Sequence, residues 1–154
     1  MASQRDLDIA YLRMCVEWSK LSYARRHKVG CLIVKNNQII SDGYNGTPKG
    51  FDNNCEDEVN GVLITKPIVL HAESNAISKI AKSNNSAENS TLYVTCSPCF
   101  ECSKLIIQAG IKRVVHSHFY RVKTGLEILE QANIKWDYYD LANCDSLGCK
   151  SGTQ

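Results

Sequence analysis

No apolar run in this 154-residue chain comes near the ~20 consecutive residues that a membrane helix needs. The longest are Cys31-Leu32-Ile33-Val34 and the stretch 63–70, which is broken by Thr65, Lys66 and Pro67. A spanning helix is therefore not expected. An excess of either charge is missing too: 18 Lys and Arg face 16 Asp and Glu, a net +2, and charged residues make up 22% against ~25% in ordinary globular domains. That balance sets aside collagenous and disordered chains, and proteins that coat nucleic acid through charge alone. The sequence has no internal repeat, low-complexity segment or domain boundary. The opening Met-Ala-Ser-Gln-Arg-Asp-Leu-Asp lacks the basic-then-apolar order of a secretory signal. The expectation is a cytoplasmic protein with no membrane partner, forming one domain over residues 1–154, since domains run to ~100–200 residues.

Cysteine, by contrast, is plentiful: Cys15, Cys31, Cys55, Cys96, Cys99, Cys102, Cys144 and Cys149. In a reducing compartment such a density points to metal ligands, small buried hydrophobes or a reactive thiol before it points to disulfides. Only Cys99 and Cys102 form a C-x-x-C pair. The five-residue step from Cys144 to Cys149 is too loose to carry a reading.

Along the chain, Leu7, Tyr11, Met14, Trp18 and Leu21 recur in steps of three and four, predicting an amphipathic helix over residues 6–23 with that stripe toward the core. Residues 29–34 and 39–40, joined by Lys35-Asn36-Asn37-Gln38, predict a β-hairpin. Then comes Gly-Tyr-Asn-Gly-Thr-Pro-Lys-Gly at 43–50. A polar, acidic stretch through Gly61 follows, holding Asp52, Cys55, Glu56, Asp57 and Glu58, and is read as an irregular connection. Helices at 72–83, 99–109 and 124–132 alternate with strands at 91–95, 113–116 and 134–139, and Gly110 sits where a helix C-terminal glycine belongs. The tail 140–154 shows no periodicity. The order α-β-β-α-β-α-β-α-β implies an α/β fold with a central sheet covered by helices on both faces.

Chemistry gathers at two predicted helix starts, His71-Ala72-Glu73 and Pro98-Cys99-Phe100-Glu101-Cys102. Proline is favoured near a helix start, where its missing N–H costs nothing. Cys99 and Cys102 then face the same way one turn apart, where the helix N-terminus favours the thiolate form. One imidazole and two thiolates suit zinc and leave a fourth tetrahedral position for water, as in catalytic sites. Glu73, in the same first turn as His71, could shuttle protons beside the metal without ligating it. Taken singly, the C-x-x-C could be a redox pair or half of a structural zinc site, and Glu73 a partner of the helix dipole. Together they form H-A-E with Cys99 placed 28 residues after His71 in P-C-x-x-C, the H-x-E…P-C-x-x-C signature of zinc-dependent nucleobase deaminases.

The resemblance extends further. Val29-Gly30-Cys31-Leu32-Ile33-Val34, Gly43-Tyr44-Asn45-Gly46-Thr47-Pro48, His71-Ala72-Glu73-Ser74-Asn75-Ala76-Ile77, Leu92-Tyr93-Val94-Thr95-Cys96-Ser97-Pro98-Cys99 and residues 104–112 carry it. Over about residues 5–140 the chain resembles the deoxycytidylate (dCMP) deaminases of the cytidine/deoxycytidylate deaminase superfamily. The resemblance implies a three-layer α/β/α sandwich around a mixed five-stranded sheet. It implies the reaction dCMP + water → dUMP + ammonia, which feeds thymidylate synthesis. Zinc would sit on His71, Cys99 and Cys102, while Glu73 would protonate N3 of the cytosine and relay a proton to the departing amine. It implies that Asn45 contacts the sugar, though Asn and Gly also favour plain turns. With Asn45, the candidate substrate residues are Arg26, Tyr120 and Ser97. Lys28 and Arg121 are further phosphate candidates, and Arg25-Arg26-His27-Lys28 reads equally as a solvated rim. The resemblance also implies a homohexamer activated by dCTP with Mg²⁺ and inhibited by dTTP, with Gly43, Tyr44, Gly46 and Lys28 near the effector.

Cys55 is expected to be a buried or free thiol, because no histidine lies between Phe51 and Leu70 to complete a second zinc site. His116 and His118, at a strand end, are read as ordinary histidines. Three rivals remain. An enzyme editing tRNA or single-stranded DNA would need a basic footprint and stacking aromatics, which a net +2 and 8% aromatic content do not supply, so no stable nucleic-acid partner is expected. A free-nucleoside cytidine deaminase would carry a different loop from Gly-Tyr-Asn-Gly-x-Pro. A zinc-scaffolded interaction module would have no use for Glu73.

Overall fold

The structure, a computed structural model, describes residues 1–144; the reading of the tail beyond that point, Cys149 included, lies outside the described residues. Helix α1 (Gln4–Ser19) opens on a capping box, Ser3 Oγ accepting from the Asp6 N–H at 3.1 Å while the Asp6 carboxylate accepts from the Ser3 N–H. Its buried face is not the expected stripe. Asp8, Ile9, Leu12, Cys15 and Ser19 point inward, whereas Met14 and Leu21 are 44% and 48% exposed. The reason is a close approach. A Cβ on Gly30 would stand 2.0 Å from the Cys15 carbonyl oxygen, so only short side chains can face the sheet there. Asp8, polar and invisible to an apolar stripe, is drawn inward by hydrogen bonds from Arg113, Tyr93 and Tyr139.

Strands β1 (Gly30–Lys35) and β2 (Gln38–Tyr44) form the expected hairpin; Asn36 and Asn37 both hold positive φ, the turn that matches strand twist. The next hairpin corrects the expected irregular connection. β3 (Glu56–Val59) and β4 (Val62–Thr65) pair antiparallel around Asn60-Gly61, both at positive φ, as a separate two-stranded sheet. Asn-Gly is a strong hairpin signal, but Glu-Asp-Glu has poor strand propensity and masked it.

Then follow α2 (Ala72–Ile80), β5 (Thr91–Val94), α3 (Phe100–Gln108), β6 (Arg113–His116), α4 (Thr124–Gln131), β7 (Lys135–Tyr138) and a 3-10 turn at Leu141–Asn143. The last turn of α2 tightens to i→i−3 bonds through Ser83, which accounts for the longer expected span. The main sheet runs β2-β1-β5-β6-β7, with β1 antiparallel to β2 and β5, and β5, β6 and β7 mutually parallel. It is the mixed five-stranded sheet the resemblance implies.

Alternation along the strands sorts the two layers. Leu32, Val34, Tyr93 and Val115 pack under α1 with Leu12 and Cys15. Cys31, Ile33, Leu92, Val94 and Val114 pack on the other face against Ala72, Ala76, Ile106, Leu126 and Leu129 of α2, α3 and α4. The result is an α/β/α sandwich, one helix on one face and three on the other. The strand pairing places Gly30, Tyr44, Val94 and His116 at one end of the sheet. That end receives the starts of α2 and α3, the usual address of a binding crevice in an open α/β sheet.

Candidate active site

His71 is the N-cap of α2 and Cys99 the N-cap of α3, each with extended backbone. Two glycines bring their neighbours down onto these helix starts. A Cβ on Gly43 would lie 2.4 Å from the Ala72 carbonyl oxygen, and one on Gly125 would lie 2.1 Å from that of Pro98. β2 thus presses on α2, and α4 presses on the Pro98-Cys99 turn. Asn75 adds a bond from its amide to the Tyr44 carbonyl at 2.8 Å.

The imidazole Nδ1 of His71 stands 3.5 Å from Cys99 Sγ and 3.4 Å from Cys102 Sγ, and the three donor atoms lie within 4.8 Å of one another. Tetrahedral zinc at ~2.3 Å from sulfur and ~2.0–2.1 Å from nitrogen requires an S···N separation of ~3.6 Å. Both N···S separations therefore match a zinc site. Hydrogen bonding from Cys102, with help from His71 and the helix N-terminus, holds the Cys99 thiol down, while Cys102, the donor to Cys99, is pushed up. The bond to Cys99 raises His71. Among the described residues no second cluster of metal-ligating groups occurs.

Glu73 is 3% exposed, and burial raises its carboxyl above the ordinary range, opposed by the Cys102 and His71 side chains. A carboxyl raised by burial holds its proton more firmly than an exposed one, which suits general acid–base work. Cys96 also faces this region, but burial, with the nearby Glu73, keeps its thiol protonated at about 11.

Residues 5–118 match the cytidine and deoxycytidylate deaminase zinc-binding region. The chain belongs to that family. The deoxycytidylate deaminase of Enterobacteria phage T4 is 34% identical to it, the match covering 88% of this chain and 88% of the phage protein. The deoxycytidylate deaminase of Saccharomyces cerevisiae is 33% identical over 82% of this chain, which spans only 43% of the yeast protein. A crystal structure of dCMP deaminase from cyanophage S-TIM5 in complex with dCMP and dUMP shares the fold with a TM-score of 0.82 at 41% identity, covering 89% of this chain and 99% of that one.

In this deaminase-family chain His71, Glu73 and Cys99 form part of the wall of a cavity of about 540 Å³. Arg26, Asn45, Ser97, Tyr120 and Arg121 also line it. Asn45 Oδ1 accepts from the Val29 N–H at 2.8 Å and its amide donates to the His27 carbonyl at 2.7 Å. One lone pair and one N–H of that side chain remain for a ligand. Ser97 Oγ accepts from the Tyr120 N–H at 2.7 Å and the Ser97 N–H donates to the His118 carbonyl, so Ser97 anchors the loop that brings Tyr120 and Arg121 to the cavity. Lys28, Gly43, Tyr44 and Gly46 stand outside this wall, and Gly43 is buried against α2.

Among the wall residues that the sequence reading did not place in the site are Glu56, Phe119 and His118, the last read there as an ordinary histidine. Glu56 was hidden inside the acidic run that folds as β3. Cys55 is a buried thiol 3.6 Å from the Asn53 carbonyl. His116 is fully buried, its Nδ1 3.0 Å from the His118 carbonyl and its ring against Phe119, Trp136 and Tyr138. Because a carbonyl only accepts, this contact assigns the proton to Nδ1.

Proposed function

We propose that this protein hydrolyses dCMP to dUMP and ammonia. The observation that carries the reading is a buried Glu73 beside three convergent zinc donors, on the wall of a cavity that also holds Arg26 and Arg121. His71, Cys99 and Cys102 would hold zinc, which would supply an activated water at neutral pH. Glu73 takes a proton from the attacking water and delivers it to N3 of the cytosine, then takes the proton of the new C4 hydroxyl and hands it to the amino group leaving C4, so that water's oxygen replaces nitrogen. The N–H groups at the starts of α2 and α3 favour the negative charge that develops there. Asn45 offers its free lone pair and N–H to the sugar. Arg26 and Arg121 face the 5′-phosphate with Tyr120 beside them, and Ser97 keeps that loop in place.

The 41% identity to a dCMP deaminase that binds dCMP and dUMP supports the substrate choice. With it goes the wider reading: one deaminase domain over residues 1–154, a cytoplasmic place in dTMP precursor synthesis, and a homohexamer. dCTP with Mg²⁺ would activate and dTTP inhibit, bound near Tyr44, Gly46 and Lys28, with Gly43 seating the strand beneath them. The test is deamination of dCMP, deoxycytidine, dCTP and a cytosine-containing oligonucleotide, each with and without dCTP or dTTP. Preference for dCMP, raised by dCTP and lowered by dTTP, is expected. Turnover of the oligonucleotide alone, or of none despite bound zinc, overturns the substrate.

A further inference from the structure

Glu56 is a carboxylate with only 2% of its surface exposed, standing in the wall of the catalytic cavity. One oxygen is fully used: Oε1 accepts from the Arg25 N–H at 2.8 Å and the Arg26 N–H at 3.1 Å. The other, Oε2, is buried and accepts no hydrogen bond; Arg25 Nε, its nearest cation, stands 3.6 Å away. A buried carboxylate oxygen without a donor is costly, and native structures leave few such atoms unpaired. The two main-chain N–H groups on Oε1 hold the carboxylate in this wall. Next to it Arg26 is held by its own bond to Thr65 Oγ1 at 3.1 Å, across the strand pair from Glu56. This acceptor, ion-paired with Arg25 but without a hydrogen bond, adjoins a guanidinium that also lines the cavity.

We infer that Glu56 is a specificity-determining residue whose Oε2 accepts a hydrogen bond from the sugar 3′-hydroxyl of the nucleotide. The inference rests on the dCMP reading above. A deoxycytidine monophosphate has few donors. Its phosphate, with a second pKa of about 6, offers mainly acceptors at neutral pH and would repel the carboxylate. Its amino group is the leaving group at the zinc donors. The 3′-hydroxyl is the donor that remains. Arg26, with N–H groups to spare beyond its Thr65 bond, is then placed to meet the adjoining phosphate. The β3–β4 hairpin, through Glu56, thereby becomes part of the substrate site.

The experiment compares kcat/KM for dCMP and for 2′,3′-dideoxycytidine 5′-monophosphate in the wild type, Glu56→Gln and Glu56→Ala, with zinc content and circular dichroism recorded for each. Hydrogen bonds to charged groups predict that the wild type prefers dCMP by about 10–100-fold. Glu56→Ala should lose that preference, and Glu56→Gln, whose amide oxygen still accepts, should keep part of it. If Glu56→Ala does not fold, the wild-type and Gln ratios decide. A wild type that turns over both nucleotides equally, or a variant with undiminished preference, overturns the inference alone. A wild type that does not turn over dCMP overturns the substrate reading and this inference with it.

Discussion

The two faces of the main sheet are built from different materials. Under α2, α3 and α4 the packing is apolar: Ile33, Leu92, Val94, Ile106, Val114 and Leu129, with the reactive groups confined to the helix starts at one end. Under α1 a charge network crosses the layer. Arg113 bonds Asp8 at 2.9 and 2.6 Å and Asp137 at 2.9 and 2.7 Å, while the Tyr93 and Tyr139 hydroxyls donate to the same Asp8. That network ties α1 to β5, β6, β7 and the chain that follows them. The difference teaches a division of labour: one face carries the chemistry on a greasy support, and the other locks the first helix in place with polar bonds.

The largest effect should separate activity from stability. Glu73→Ala removes a proton carrier worth about 10²–10⁴-fold in rate, so dCMP turnover should fall by at least that much. Zinc by atomic absorption should stay near one per chain; loss of zinc would show that Glu73 supports the metal rather than the proton. The mirror experiment is Arg113→Ala. It strands the buried Asp8 carboxylate and should cost about 3–5 kcal/mol in urea unfolding, with zinc content and kcat at low temperature unchanged. A parallel loss of zinc would mean that the two faces are coupled.

Acid sharpens the contrast further. Burial favours the neutral form of Asp8, but the Arg113, Tyr93 and Gln4 hydrogen bonds outweigh it and leave the carboxyl below its ordinary 3.8. A depressed acid stabilises the fold above its unfolded value and loses that contribution as pH falls through the lower folded one. Burial of His116 holds its imidazole down at about 4 from 6.5. The unfolded chain binds that proton first, so stability should already decline as pH drops from about 6.5 toward 4. Urea midpoints at stepped pH should show two segments. His116→Phe should flatten the upper one and Asp8→Asn the lower, and a single unbroken slope in both variants would refute the assignment. The smallest expected change is Asn45→Ala, which removes two main-chain bonds and the proposed sugar contact. KM for dCMP should rise by about tenfold, at roughly 1 kcal/mol per bond; an unchanged KM would remove Asn45 from the site.

The zinc donors were legible because ligand chemistry dictates both residue type and spacing: His71, Cys99 and Cys102 can be read before any fold is known. The sheet was legible from β-branched runs such as residues 29–34. The inward face of α1 was not, because what turns it is Asp8, whose partner Arg113 lies 105 residues away, and Gly30, whose influence is an empty volume. Glu56 was opaque for a related reason. Its partners are main-chain N–H groups of Arg25 and Arg26, which have no signature in the alphabet of side chains.

Three contacts at the cleft end of the sheet are made by backbone against backbone: Gly30 on α1, on the face away from the cleft, Gly43 on α2 and Gly125 on the Pro98-Cys99 turn. Such seats do not depend on which side chains surround them. In a saturation mutagenesis library scored by growth, these three codons should tolerate almost no replacement while their neighbours vary widely. The cleft would then behave as a fixed template across many different surfaces, and an engineer could redesign the outer layer of the protein freely so long as those three gaps stay empty.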